Sequence, residues 1–250
     1  MSPSTNAPTP PAARLDPESL SRRFATATPS DIIHWAAQTF GDKLLMTSSF
    51  GAESMCLIHL LTRVHPDVRI VFVNTGYLFH QTLIFMEEMR RRYGLNVLEY
   101  HSHHDPLVYL TVHGETDPRV RQDVDSCCRD NKNEVFDRAM RELAPAAWIR
   151  GVRADQSATR SRMKIVEWNA RVNAWAISPL LNWDHRRIFE YMKQNNLPFH
   201  PLWQEGYVSI GCNPETCTRP VRAGGDPRDG RWTGLDKKEC GIHLDQGAGI

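Results

Sequence analysis

No apolar run in this 250-residue chain is long enough to span a membrane; the most apolar windows, such as residues 68–73, have only the length of a strand. Charge excess is missing too. The 30 Lys and Arg stand against 29 Asp and Glu, so no overall field attracts nucleic acid or a membrane surface, and any anion site must be local. Residues 1–14 carry four prolines but no continuous apolar stretch, which argues against a secretory signal, and basic residues are too sparse for a transit peptide. Residues 1–29 are accordingly read as a disordered leader. Internal repeats are absent, and no Gly-Lys-Ser/Thr follows a glycine-rich loop, which removes a Walker-type ATP site.

What the chain does have is alternation. Residues 30–40 read as a helix with Ser30 as N-cap, and residues 43–47 as a short apolar strand followed by a helical pattern through Leu57, Leu60 and Leu61. The β-branched run 68–73 suits a strand buried on both faces, closed by Thr75 and Gly76. Residues 81–93, 133–143 and 183–195 read as helices, and residues 95–100 and 147–149 as strands. Strands alternating with helices predict an α/β fold with a mostly parallel twisted sheet flanked by helices. The main α/β core is expected over residues 30–200, with residues 201–250 as an irregular C-terminal lid or tail of the same domain.

Between the first strand and its helix lies Ser48-Ser49-Phe50-Gly51-Ala52-Glu53-Ser54. Small residues and one glycine let backbone N–H groups approach an anion, the helix start adds positive potential, and Ser48, Ser49 and Ser54 offer hydroxyls. An ordinary serine-capped turn fits these residues equally well.

Six cysteines are present in a chain with no export signal, and in a reducing cytosol clustered cysteines bind metal or react more often than they pair. Cys127 and Cys128 are adjacent, where an intrachain disulfide between them is strained. With Cys212 and Cys217 they make four soft ligands that suit either zinc or an iron–sulfur cluster. Lys132 follows four residues after the first pair and could offset the negative charge of such a centre. Cys240 lies in a stretch with little core pattern, where a single cysteine implies chemistry, and Lys237, Lys238 and His243 could favour its thiolate. Arg153, Arg160, Arg228 and Arg231 supply guanidinium forks suited to tetrahedral oxyanions.

Taken together, these motifs resemble the sulfonucleotide reductases of the PP-loop superfamily, in the branch that reduces adenylyl sulfate. The loop 48–54 resembles the PP-loop, with Phe50 in place of the first of two glycines found in relatives that release pyrophosphate. Cys127-Cys128-x-x-x-Lys132, Gly206-Tyr207-Val208-Ser209-Ile210-Gly211-Cys212 and Cys217-Thr218-Arg219-Pro220 resemble the cluster-bearing members, although Cys212 and Cys217 are separated by four residues rather than two. Glu239-Cys240-Gly241-Ile242-His243 matches the nucleophile motif.

The resemblance implies a [4Fe–4S] cluster on Cys127, Cys128, Cys212 and Cys217, with Lys132 and His243 acting beside the Cys240 nucleophile. It further implies that residues 48–54, Thr75, Gly76, Arg153, Arg160, Arg228 and Arg231 bind the substrate. The expected reaction reduces adenosine 5′-phosphosulfate to sulfite and AMP through an S-sulfonated Cys240, resolved by a separate thioredoxin or glutaredoxin, in cytoplasmic sulfate assimilation and cysteine biosynthesis. The alternatives are 3′-phosphoadenosine 5′-phosphosulfate as substrate, an ATP-dependent adenylating enzyme, and a non-enzymatic nucleotide sensor. A homo-oligomer is compatible with this reading.

Overall fold

The computed structural model describes residues 15–114, 117, 122–221, 228–237 and 239–243. Its centre is a six-stranded sheet built from β1 (Leu44–Thr47), β2 (Arg69–Asn74), β3 (Asn96–His101), β4 (Ala147–Ile149), β5 (Val166–Asn169) and β6 (Ala174–Ile177). The order is β3-β2-β1-β4-β6-β5. All neighbours are parallel except β5, which runs antiparallel to β6 at one edge. The chain first steps outward from β1 to β2 and β3, then returns to place β4 on the other side of β1. Such a reversal opens a crevice at the carboxyl ends of the strands.

Alternation along each strand divides the interior into two cores. Leu44, Met46, Ile70, Phe72, Ala147 and Ile149 face a large cluster shared with α2 (Pro29–Phe40), α3 (Ser54–Thr62), α4 (His80–Tyr93) and α8 (His185–Gln194). Leu45, Val71, Trp148, Ala174 and Ala176 face the opposite side, where α7 (Glu134–Leu143) contributes Phe136, Ala139 and Met140. Ile242 of the C-terminal tail is buried in this second cluster, so the tail takes part in the packing.

Two sequence expectations need correction. The leader expected to be disordered over 1–29 contains α1 (Pro17–Phe24) within its described part. Asp16 caps it by accepting from the N–H groups of Glu18 and Ser19, Pro17 pre-sets the first turn, and Leu20 and Phe24 are buried. Residues 1–14 lie outside the described residues. The N-cap of α2 is Thr28, two residues before the expected Ser30, because Pro29 fits N1 and Asp31 completes a capping box with Thr28.

Three further elements go beyond the expected pattern: the hairpin β5–β6, α5 (Pro106–Val112) and α6 (Val124–Cys128). A π-helical turn over Arg129–Asn133 joins α6 to α7 and carries Lys132. Turns of this kind recur at functional sites. No described helix is long and apolar enough to cross a membrane.

Candidate active site

The loop after β1 sets the floor of a pocket at the crevice. Ser48 N–H donates to the Val71 carbonyl, and its Oγ accepts from Phe50 N–H at 3.1 Å. No side chain caps the start of α3, whose positive end lies where Glu53 and Ser54 line the pocket. Ser48, Ser49, Gly51, Ala52, Glu53 and Ser54 all line that pocket. Phe50, expected with them, does not: its φ of 48° turns the side chain away, and the ring is fully buried 5.7 Å from Phe72. Its contribution is loop shape.

Thr75 also lines the pocket, and its hydroxyl lies 3.4 Å from Cys212 Sγ. Gly76 is outside the lining; with φ of 79° and a would-be Cβ 2.7 Å from Pro106, it is needed for the turn.

Lys132, Arg153, Arg160, Arg228, Arg231, Cys240 and His243 complete the wall, so residues distant in sequence converge as expected. Their individual states differ from the expectation in three ways. Arg160 was expected to hold the substrate's oxyanion, but its fork is occupied by Glu239. Nε and Nη2 donate to the two Glu239 oxygens at 2.9 Å each, and Nη1 donates to Gln156. Arg228 is 3.6 Å from the same carboxylate, and Ser157 donates to it at 2.8 Å. Arg153 is similarly engaged by Glu53 and by Asp155, while Glu53 also meets His185 Nδ1 at 2.5 Å.

His243 is the second difference. Burial first, then Arg160, Arg150, Lys132 and Arg228, hold its imidazole well below its ordinary pKa, which works against the positive charge expected of it. The third concerns the tail lysines. Lys237 hydrogen-bonds Asp125 and lies 5.7 Å from the Trp232 ring, and Lys238 is outside the described residues.

The charge that acts on Cys240 comes from elsewhere. Burial opposes ionisation of this thiol, but the Lys132 ammonium, the Ile242 backbone N–H and Arg160 outweigh it, and its pKa falls below the ordinary thiol value. Partial burial of Lys132 would by itself lower its pKa; the Cys240, Cys212 and Cys128 sulfurs reverse that and raise it. Burial pushes Cys56, Cys128 and Cys217 the other way, each to about 12. Among the described cysteines with a resolved shift, only Cys240 has its pKa lowered.

Arg231 lies against Gly211 so closely that any Cβ there would meet its guanidinium. Its Nε donates to the Cys217 carbonyl at 2.9 Å, and its charge lies 4.6 Å from the Trp232 ring. These contacts fix one cationic wall of the pocket.

Behind that wall Cys127, Cys128, Cys212 and Cys217 lie in two adjoining small clusters, the second of which also touches Cys240. Cys127 and Cys212 share one small cluster with Tyr77 and Tyr109, and Cys128, Cys212 and Cys217 share the next with Val124 and Trp232. The two additional residues between Cys212 and Cys217 are absorbed by a turn in which the Cys217 and Thr218 N–H groups donate to the Pro214 carbonyl, with Asn213 N–H tied to Tyr77. Among the described residues, no three His, Cys, Asp or Glu side chains gather as ligands of a single metal ion. The four thiols near the junction of α6 and the tail are soft donors whose chemistry fits an iron–sulfur cluster or zinc.

Comparison with known proteins follows the same lines. The Phosphoadenosine phosphosulfate reductase domain matches residues 43–220. The chain belongs to this reductase family. A phosphoadenosine 5′-phosphosulfate reductase of Gloeobacter violaceus is 38% identical over 232 residues, covering 90% of this chain and 92% of that one. An adenosine 5′-phosphosulfate reductase of Bacillus cereus is 33% identical over 230 residues, covering 90% and 94%. Among solved structures, the phosphoadenylyl-sulfate reductase of Candida auris in a phosphate complex superposes with a TM-score of 0.68 at 24% identity, covering 78% of this chain and 93% of that one. The domain match contains the loop 48–54, Lys132 and both cysteine pairs, and ends before Arg228, Arg231 and Cys240.

Sequence reasoning overlooked several residues that build this site. Glu239 was read only as part of a motif, Arg150 and Arg171 not at all, although both contact the tail. Their partners lie 93, 70 and 71 residues away, and no local pattern announces such contacts.

Proposed function

We propose that this reductase converts adenosine 5′-phosphosulfate to sulfite and AMP through a covalent intermediate on Cys240. The observation that carries the reading is a thiol of depressed pKa in the wall of the same pocket as an uncapped helix start and a set of cations. The Cys240 thiolate attacks the sulfuryl sulfur, the bond from sulfur to the bridging oxygen breaks, and AMP leaves with the electron pair. Loop N–H groups, Ser49, Ser54, Arg228 and Arg231 stabilise the charge that moves onto the phosphate. A dithiol protein of the thioredoxin or glutaredoxin type then attacks Cys240 Sγ, displaces sulfite, and resolves the mixed disulfide with its second thiol. Two electrons pass from the dithiol to the departing sulfite. This places the chain in sulfate assimilation toward cysteine, in the cytoplasm.

Mixing the protein with adenosine 5′-phosphosulfate and no reductant should add about 80 Da, one SO₃ group, located at Cys240 by peptide mapping. An unmodified Cys240 after full AMP release would overturn the mechanism.

Cys127, Cys128, Cys212 and Cys217 would hold a [4Fe–4S] cluster, with Lys132 beside it. The cluster supplies structure and negative charge that Lys132 offsets, since the dithiol already provides the electrons. Anaerobically purified protein should be brown and contain about four irons and four sulfides per chain. A zinc-bearing, colourless protein with the same fold would refute this assignment.

The second reading, 3′-phosphoadenosine 5′-phosphosulfate, is favoured by the name of the 38% identical relative. The four-cysteine set supports the unphosphorylated nucleotide. Turnover rates on both nucleotides under one set of conditions decide between them.

A further inference from the structure

Cys240 is held from both sides by groups that do not belong to the pocket's floor. Upstream, Glu239 docks on Arg160 and Ser157. Downstream, three successive main-chain carbonyls are gripped by two guanidinium groups, one half-buried and one fully buried. Arg171 Nη1 donates to Gly241 O at 3.0 Å and Nη2 to Ile242 O at 3.2 Å. Arg150 Nη1 donates to His243 O at 2.9 Å. The geometry points to Arg171, supported by Arg150, as a positioning residue that docks the nucleophile-bearing segment and aims Cys240 into the pocket. This rests on the proposed role of Cys240.

Each part of the arrangement has a physical reason. Two successive carbonyls can point at one planar fork only if the backbone turns sharply between Cys240 and Ile242, and Gly241 makes that turn with φ of 94°. Arg171 is itself fixed: its Nε lies 3.2 Å from Asp137 Oδ1 on α7, and its charge lies 5.4 Å from the Phe136 ring. Arg150 is fully buried, with Nε on Ser178 Oγ at 2.9 Å and Nη2 on Glu167. Ile242 then packs into the second core, the cluster that also holds Phe136 and Trp148. Charge-assisted bonds to neutral carbonyls hold a segment without neutralising the cations that hold it, and undocking leaves the carbonyls free to bond water.

Neither Arg171 nor Arg150 lines the nucleotide pocket. Their loss should therefore change how fast a bound nucleotide reacts and leave its binding alone. That separation distinguishes a dock from a substrate ligand.

The test compares full-length wild type with Arg171→Ala and Arg171→Lys. Single-turnover sulfonation of Cys240 by adenosine 5′-phosphosulfate is followed by intact mass, and hydrogen exchange of the peptide spanning residues 239–243 is followed without nucleotide. Arg171→Ala should slow sulfonation at saturating nucleotide by about tenfold to hundredfold, while half-saturation moves less than about twofold. The tail amides should exchange faster in parallel. Arg171→Lys, which keeps the charge near Asp137 but loses the fork, should fall between the two in both readouts. A wild-type sulfonation rate and unchanged exchange in Arg171→Ala would overturn the dock. So would a raised half-saturation with an unchanged rate, which is the signature of a nucleotide ligand. If wild type itself gains no mass at Cys240, the proposed reaction fails, and the exchange comparison still judges the dock separately.

Discussion

Cys240→Ser is expected to abolish sulfite release, by on the order of 10⁴-fold or more, while nucleotide binding persists. The substitution removes one atom's polarisability and acidity and little else from the pocket wall. A serine hydroxyl is not ionised by a neighbouring ammonium at neutral pH as a thiol is, so the depressed pKa that Lys132 and Arg160 confer on Cys240 has no counterpart in the variant. A serine that did attack would form an O-sulfate ester, in which sulfur remains bound only to oxygen, and a dithiol has no sulfur–sulfur bond to cleave. Sulfite requires that bond. Sulfite assayed with a dithiol reductant, beside nucleotide binding by calorimetry, checks both halves; sulfite release at the wild-type rate would remove Cys240 from the chemistry.

The second large effect is on stability. Arg150 has no exposed surface, and burial is the main force lowering its pKa, opposed by its pairing with Glu167. Arg150→Met fills most of the same space, yet it deprives Glu167, Ser178 and the His243 carbonyl of their donor at once. Breaking a buried pair from one side costs about 3–5 kcal/mol. The Glu167 side chain retains 28% exposure, and water recovers part of its loss, so the lower end applies. About 3 kcal/mol corresponds to a fall in Tm of about 6–12 °C for a chain of this size. Removing the carboxylate as well, in Arg150→Met with Glu167→Leu, should restore a good part of that. Thermal unfolding of the two variants is the measurement, and equal Tm values for Arg150→Met and wild type would refute the role.

Much of this molecule is legible from its residues, and the illegible parts share a cause. The strands β1, β2 and β4 are visible because apolar runs of the right length end in small or turn-forming residues. The hairpin is not visible in the same way: Ala-Trp-Ala-Ile of β6 is buried at every position, so its pattern has no period. A signal for α1 was present in Asp16-Pro17-Glu18, a cap followed by proline and an acidic first turn, within a stretch whose composition reads as disorder. In the site, motif residues converge because loops at the strand ends bring them together. Their charge states could not be read. Whether His243 is neutral or Arg160 is already paired depends on burial and on partners tens of residues distant, and these exist only once the chain has folded.

Phe50 has a consequence for ligand affinity. Its backbone adopts a conformation that glycine would take at no cost, and the burial of its ring against Phe72 holds it there. A doubly glycine-bearing turn keeps many shapes until a ligand selects one, and the ordering entropy then weakens binding. Here the aromatic side chain roots the turn in the hydrophobic interior, so that entropy is lost during folding, and the amides of the proposed anion site would be arranged before a ligand arrives.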